Sequence, residues 1–171
     1  ADMLADGTLG QVFGLVRDAA GAGLAGATIT MSPASGTLRY VDSTGTLNST
    51  GPTDSSGRFI YIDTSPGDFT LTASVGGMPV ARSYGTAADH RTASLDILPF
   101  VPLAGTALDQ SGNPVAGATV EWDFDGSIMT TSSGSGSWSL TEAAAGLDVT
   151  VRGTRSGFRE ASTFRYSVGE A

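Results

Sequence analysis

The chain has 171 residues, 17 acidic and 9 basic side chains, a net charge of −8 and 40% hydrophobic residues, with 24 glycines. That acidity argues against phosphate backbones and anionic lipid, so nucleic acid and membrane insertion are excluded; no apolar run approaches the ~20 residues of a spanning helix. The chain has no cysteine and no lysine, which rules out disulfides, thiolate metal sites, Schiff bases, a P-loop lysine and lysine isopeptide bonds.

The N-terminal stretch ADMLADGTLGQVF (1–13) is a candidate to pair with the open sheet edge of a neighbouring subunit, since sheet edges accept added strands. In QVFGLVR (11–17), Val12 and Val16 share one strand face. Gly21, Gly23 and Gly26 then spell G-x-G-x-x-G, the pattern of a dinucleotide loop. That chemistry needs a helix N-terminus for the pyrophosphate, but the next residues are the alternating ATITMSP (27–33). The stretch reads better as a turn, with Asp18 making an Asx turn and Gly21 supplying positive φ at its end.

Ala27, Ile29 and Met31 alternate with polar residues as a half-buried strand does. SPASGTLRYVDSTGTLNSTGP (32–52) reads as an inserted hairpin or long loop; its Asn48-Ser49-Thr50 matches a glycosylation sequon, a triplet common by chance in such loops. Phe59 and Tyr61 alternate with Ile60 and Ile62, predicting a strand covered on both faces. IYIDTS (60–65) resembles an aspartic-protease segment, but that mechanism needs two carboxylates sharing a proton; without a second such segment, Asp63 reads as the polar exit of a strand. Phe69, Leu71 and Ala73 form the next alternating run, then Ala93, Leu95 and Ile97. Between them GTAADHRTA (85–93) has room for a helical turn, and its His90, the only histidine, reads as an exposed loop residue.

The pattern is then written again. Residues 14–29 and 105–120 align without gaps at an offset of 91, with seven of sixteen positions identical, among them Asp18/Asp109, Gly21/Gly112 and Gly26/Gly117. A second block aligns at an offset of 79, placing Thr53 against Ser132, Asp54 against Ser133, Gly57 against Gly136 and Phe59 against Trp138. The second copy has Pro114 where Gly23 stands, which removes the middle glycine of the phosphate-loop pattern. Val120, Trp122 and Phe124 repeat with period two, as do Trp138 and Leu140, Val149 and Val151, and Phe164, Tyr166 and Val168. TEAAAGL (141–147) is the one other stretch with room for a helical turn. The expected fold is all-β: two tandem Ig-like or transthyretin-like antiparallel β-sandwiches, one over 1–99 and a shorter one over 100–171. Phe59, Trp122 and Trp138 should dominate their thin cores, each large inward residue contributing ~1.5–3 kcal/mol.

The pattern G-x-V-x-D-x-x-G-x-P-V-x-G-A-x-V, followed by T-D-x-x-G-x-F and a late G-x-F/Y-x-L strand, resembles the carboxypeptidase regulatory-like family, a transthyretin-like sandwich related to collagen-adhesin B-type repeats. The second unit carries the first motif through Asp109, Gly112, Pro114, Val115, Gly117, Ala118 and Val120; the first carries the later motifs through Thr53, Asp54, Gly57, Phe59, Gly67, Phe69 and Leu71. Gly23 departs from the proline and Ser133 from the acid of the pattern. The resemblance implies a non-catalytic sandwich used in secreted proteins as spacer, stabiliser or binding module.

No constellation for catalysis emerges, and no catalytic or cofactor residue is assigned. Asp123 and Asp125 are candidate calcium ligands with Asp109 or Asp148, and a solvated strand face accounts for them equally. Tyr40, Tyr84 and Phe158 are candidate aromatics for a carbohydrate site. The expected role is a structural or interaction module on a secreted or cell-surface protein or a viral particle exterior: spacer or subunit of an adhesin, filament or virion assembly, with protein partners or self-assembly through sheet edges. A carbohydrate-binding accessory module and a regulatory domain of a larger peptidase are the alternatives.

Overall fold

The structure, a computed structural model, describes residues 9–122, 126–144, 148–158 and 161–167. Every regular element among them is a strand, and the fold is a β-sandwich. The chain divides into two compact units with the boundary between Pro99 and Phe100.

Unit 1 contains β1 (Gly10–Val16), β2 (Ala27–Ser32), β3 (Thr37–Val41), β4 (Leu47–Asn48), β5 (Arg58–Thr64), β6 (Gly67–Val75), β7 (Met78–Ala87) and the first part of β8 (Thr92–Thr106). One layer runs β8-β1-β5-β3-β4 and the other β2-β6-β7. The expected alternation holds: Ala27, Ile29 and Met31 of β2 point inward, as do Phe69, Leu71 and Ala73 of β6. They meet Val12, Val16, Phe59, Tyr61 and Ile97 in one apolar core. On β5, Phe59, Ile60 and Tyr61 are all buried, so this strand is covered on both faces. The 32–52 segment is a hairpin, β3 pairing with both β4 and β5.

Unit 2 contains residues 100–106 of β8 and β9 (Thr119–Trp122), β10 (Met129–Thr131), β11 (Ser137–Ala144), β12 (Asp148–Thr154) and β13 (Ala161–Ser167). β8 pairs antiparallel with β11, and the second layer runs β10-β9-β12-β13. Its core gathers Val115, Ala118, Val120, Trp122, Ile128, Leu140 and Ala143.

Three expectations are corrected, and the two stretches with room for a helical turn form none among the described residues. The sheets are not purely antiparallel, because Gln11–Val16 pair in parallel with Thr92–Ile97; a strand returning from the opposite layer reaches the free side of β1 in that direction. The 85–93 stretch forms no helical turn: it ends β7, turns through an Arg91 N–H to Ala88 carbonyl bond of 3.3 Å and begins β8. Thr141–Ala144 likewise belong to β11. Gln11–Phe13 sit inside β1 with β5 on one side and β8 on the other, so they offer no free edge to a neighbour; residues 1–8 lie outside the described residues. Trp138 is half-buried, whereas Trp122 and Phe59 are fully buried.

Candidate functional site

One polar construction is built once in each unit, around Asp18 and Asp109. Asp18 Oδ1 accepts the N–H groups of Ala20 and Ala22, both at 2.9 Å, and Asp109 Oδ1 accepts those of Ser111 and Asn113, both at 2.8 Å. Gly21 and Gly112 complete the two turns with the same φ of 81°, a left-handed value that a Cβ would strain. These are the expected Asx turns, and Gly21, Gly23 and Gly26 serve backbone geometry. The N–H groups of Asn113, Ser111 and Gly112 and the Asn113 side-chain amide, with the Asn113 bonds leading, hold the Asp109 carboxyl below its ordinary range.

Behind each turn lies a buried hydroxyl, Thr53 of the T-D-x-x-G-x-F motif in unit 1 and Ser132 at the aligned position in unit 2. Thr53 Oγ1 donates to the Leu24 carbonyl at 2.7 Å and accepts from the Ala27 N–H at 3.0 Å. Ser132 Oγ does the same between the Val115 carbonyl at 2.6 Å and the Ala118 N–H at 2.9 Å. Each residue also exchanges backbone bonds with the start of the following strand: Gly26 N–H to the Thr53 carbonyl and Thr53 N–H to the Ala27 carbonyl, repeated by Gly117, Ser132 and Ala118. The hydroxyl is a latch that satisfies backbone groups which burial would otherwise leave without water. The signal for it is present in the repeat: a small hydroxyl residue recurs at the 79-residue offset.

In unit 1 a further carboxylate ties the inserted hairpin down. Asp54 accepts the hydroxyl of Ser56 at 2.6 Å and its N–H at 2.8 Å, and its second oxygen accepts the Ser43 N–H at 2.8 Å. Asp42, at the hairpin turn, accepts the Thr44 hydroxyl at 2.6 Å and the N–H groups of Thr44 and Thr46, both at 2.9 Å. These bonds, the Ser56 and Thr44 hydroxyls foremost, lower the pKa of both carboxyls. Unit 2 has Ser133 at the Asp54 position, hydroxyl to hydroxyl with Ser135 at 2.9 Å.

The remaining candidates are scattered. Asp63 is a partly buried residue of β5 with a left-handed φ of 61°. His90 is exposed in the β7–β8 turn with φ 56°. Asp123 and Asp125 lie outside the described residues, and Asp109 is engaged in its own turn. Among the described residues no three His, Asp or Glu side chains stand close enough to hold a metal ion. Tyr40 is 8% exposed, its hydroxyl accepting the Ile29 N–H at 3.2 Å and its ring packed where a Cβ on Gly51 would be. It spans the two layers of the core and offers no stacking face. Tyr84 is half-buried on β7. Phe158 is 48% exposed, with the Arg155 guanidinium 5.2 Å from its ring centroid.

No protein family and no curated protein matches the chain. Among solved structures it is similar to a streptococcal ancillary pilin (12% identity, TM-score 0.38, covering 98% of this chain and 61% of the pilin). It is also similar to the Bacillus anthracis TIE protein (13% identity, TM-score 0.36, covering 95% of this chain and 31% of that one). A third likeness is to a DUF3823 family protein from Bacteroides uniformis (12% identity, TM-score 0.33, covering 85% of this chain and 88% of that one). The chain spans less than two thirds of the first two proteins. At these TM-scores the likenesses assign neither family nor role.

Proposed function

We propose that this chain is a non-catalytic structural and interaction module of a secreted or surface-exposed protein, acting as a spacer or as a subunit of an assembly joined through sheet edges. One observation carries the reading: the same turn and latch are built in both units, and their polar side chains are committed to backbone groups of their own fold. Asp18, Asp42, Asp54, Asp109, Thr53 and Ser132 all bond to main chain. Residues spent in this way stiffen turns and do not face a substrate. The carboxypeptidase regulatory-like resemblance agrees with a module of this kind, and so does the acidic, lysine-free composition, which repels phosphate and anionic lipid.

Immunogold labelling of intact cells or particles of the source, with light scattering and negative-stain microscopy of the purified chain, tests the proposal. The expected result is label on the exterior and concentration-dependent assemblies or elongated multidomain particles. Label confined to the interior would overturn it.

A second reading, a carbohydrate-binding module, rests on Phe158 alone of the three candidate aromatics, since it is the exposed one. Its face is shared with Arg155, and a glycan array that responds to the native chain but not to Phe158→Ala is the result that would favour this reading.

A further inference from the structure

Unit 1 is entered and left through two strands that pair with each other. Its first strand among the described residues is β1, and Thr92–Ile97 of β8 lies just before the boundary at Pro99. The two run parallel, in register from Gln11 opposite Thr92 to Val16 opposite Ile97. The chain therefore enters at one end of this ladder, beside Thr92, and leaves at the other, beside Val16. Among the described residues Thr92–Ile97 has β1 as its one strand neighbour, since β7 reaches β8 only at Leu98 and Pro99.

That placement fixes how tension along the chain is carried. Pulling on the chain before Gly10 and after Ile97 draws the two strands past each other along their common axis. Parallel strands are joined by evenly spaced bonds. Here they run from the Gln11 N–H to the Arg91 carbonyl at 2.9 Å through to the Arg17 N–H to the Ile97 carbonyl at 3.0 Å. Under this load the bonds of the ladder are strained together and share the force. An antiparallel pair behaves differently: in β6 and β7 the two outer ends, Gly67 and Ala87, stand opposite each other, and pulling them apart opens one bond after another.

The other contacts of β1 oppose the same slide. Its second side is paired with β5, Gly14 facing Phe59, and Val12 and Val16 are wholly buried in the core. The Phe59 ring fills the space over Gly14, where a Cβ would overlap it. Side chains on one strand face recur every two residues, so Val12, Gly14 and Val16 share the face beneath that ring. Drawing β1 toward its N-terminus by one such repeat, roughly 7 Å, would bring Val16 into the place of Gly14. The ring leaves no room for it and acts as a catch. At the far end of the ladder the Arg17 Nε donates to Asp96 at 2.7 Å. Both side chains are a third or more exposed, so this ion pair adds little beside the backbone bonds and the catch.

We propose that unit 1 has the further function of bearing tension, with the parallel β1–β8 pair as a clamp loaded in shear and Phe59 over Gly14 as its catch. The parallel pairing is what gives the unit this property, because it sets the entry and exit of the chain at opposite ends of one ladder. The inference rests on the proposed role as a spacer or assembly subunit. It states what that role asks of unit 1, which is to stay folded while the chain is pulled from both sides.

Single-molecule pulling on the full chain tests this directly, because the chain has no cysteine and two introduced ones set the points of attachment. Leu9→Cys with Pro102→Cys loads the clamp in shear. Leu9→Cys with Thr92→Cys pulls on the same ladder from one end, so that it opens like a zipper. Forced opening reads the unfolding barrier along the loaded direction and not the equilibrium stability. The expected result is a rupture force several-fold higher for the shear pair, with unit 1 opening in one step. Phe59→Leu, placed in both pairs, should lower the shear force far more than the zipper force, whereas a residue serving stability alone lowers the two alike. The comparison of the two pairs without that substitution does not depend on how the variant folds.

Equal forces in the two directions overturn the proposal. So does a shear trace in which 92–97 peels away in a short step at low force before the rest of unit 1 opens. A Phe59→Leu variant that lowers both forces alike overturns the catch. Exterior label on cells together with equal forces removes the clamp and leaves the surface role standing. A strong shear direction in a chain whose label is confined to the interior removes that role and leaves the clamp.

Discussion

The ring of Phe59 fills the space over the Cα of Gly14, its cross-strand partner, so that a Cβ on Gly14 would overlap the ring. Trp138 stands in the same relation to Gly105, where a Cβ would come within 2.5 Å of Cζ2. Both units thus use a glycine as the seat of an aromatic side chain, a cross-strand device that buries the ring and covers the bare backbone. Gly14→Ala should cost about 1–3 kcal/mol, the range for overpacking a close-packed core. Gly105→Ala should fall at the low end, because the part-exposed Trp138 has room to swing outward. Urea unfolding of each variant measures the two costs, and equal costs would show that the cores are equally closed.

The hydroxyl latches give a second expectation. Thr53→Val keeps the shape and removes both hydrogen bonds, leaving the Leu24 carbonyl and Ala27 N–H buried without that partner. The expected loss is ~1–3 kcal/mol, and Thr53→Ser should restore most of it. Ser132→Ala should have a similar effect on unit 2 alone, seen as an earlier transition of that unit in a denaturant melt.

The two tryptophans should separate clearly. Trp122 is wholly buried on β9, so Trp122→Ala should cost ~3–5 kcal/mol as a large core truncation. The alternation in sequence places Trp138 in the core as well, where a truncation to Ala would cost the same ~3–5 kcal/mol. Its partial exposure lowers that to about 1–3 kcal/mol, in proportion to the smaller area withdrawn from water. Emission spectra of the single-tryptophan variants check the assignment: Trp122 should emit blue and resist quencher, Trp138 should be redder and quenched.

Asp42, Asp54 and Asp109 all have pKa values lowered from the ordinary 3.8 by hydrogen bonds to the ionised form. A depressed native pKa means that the unfolded state binds more protons in acid. The stabilisation is complete above the unfolded value and is lost as pH falls through the native ones, so stability should decline below about pH 4. Asp109→Asn should flatten that decline for unit 2. A pH-independent melt between neutral and strongly acidic conditions would refute the linkage.

At the alkaline end Tyr61 is the group to watch. Burial, and then the neighbouring Tyr40, push its pKa from 10.0 up to about 12. A raised native pKa stabilises the fold fully below the unfolded value, and the contribution disappears as pH rises through the native one. Unit 1 should therefore lose stability between those two values, and Tyr61→Phe should lose less of it. Absorbance of the phenolate during titration, compared with melts at the same pH, tests this.

Much of the fold was legible because its signals are local. Strand alternation in ATITMS and GDFTLTA depends on neighbouring residues, and the Asp18 and Asp109 turns close within five residues of their own sequence. The repeat offsets carry the common plan, including the aligned hydroxyl residues Thr53 and Ser132. Tertiary structure decided what lies between segments far apart in the chain. Nothing local tells that Thr92–Ile97 pair in parallel with β1, that Tyr40 turns inward to cap Ile29, or that Thr53 is buried behind Leu24 and Ala27. Nor does the repeat reveal that Val12 and Leu103, aligned in sequence, differ in exposure. A side chain's burial depends on which strand arrives beside it, and that is set by the packing of whole layers, where the two units part ways.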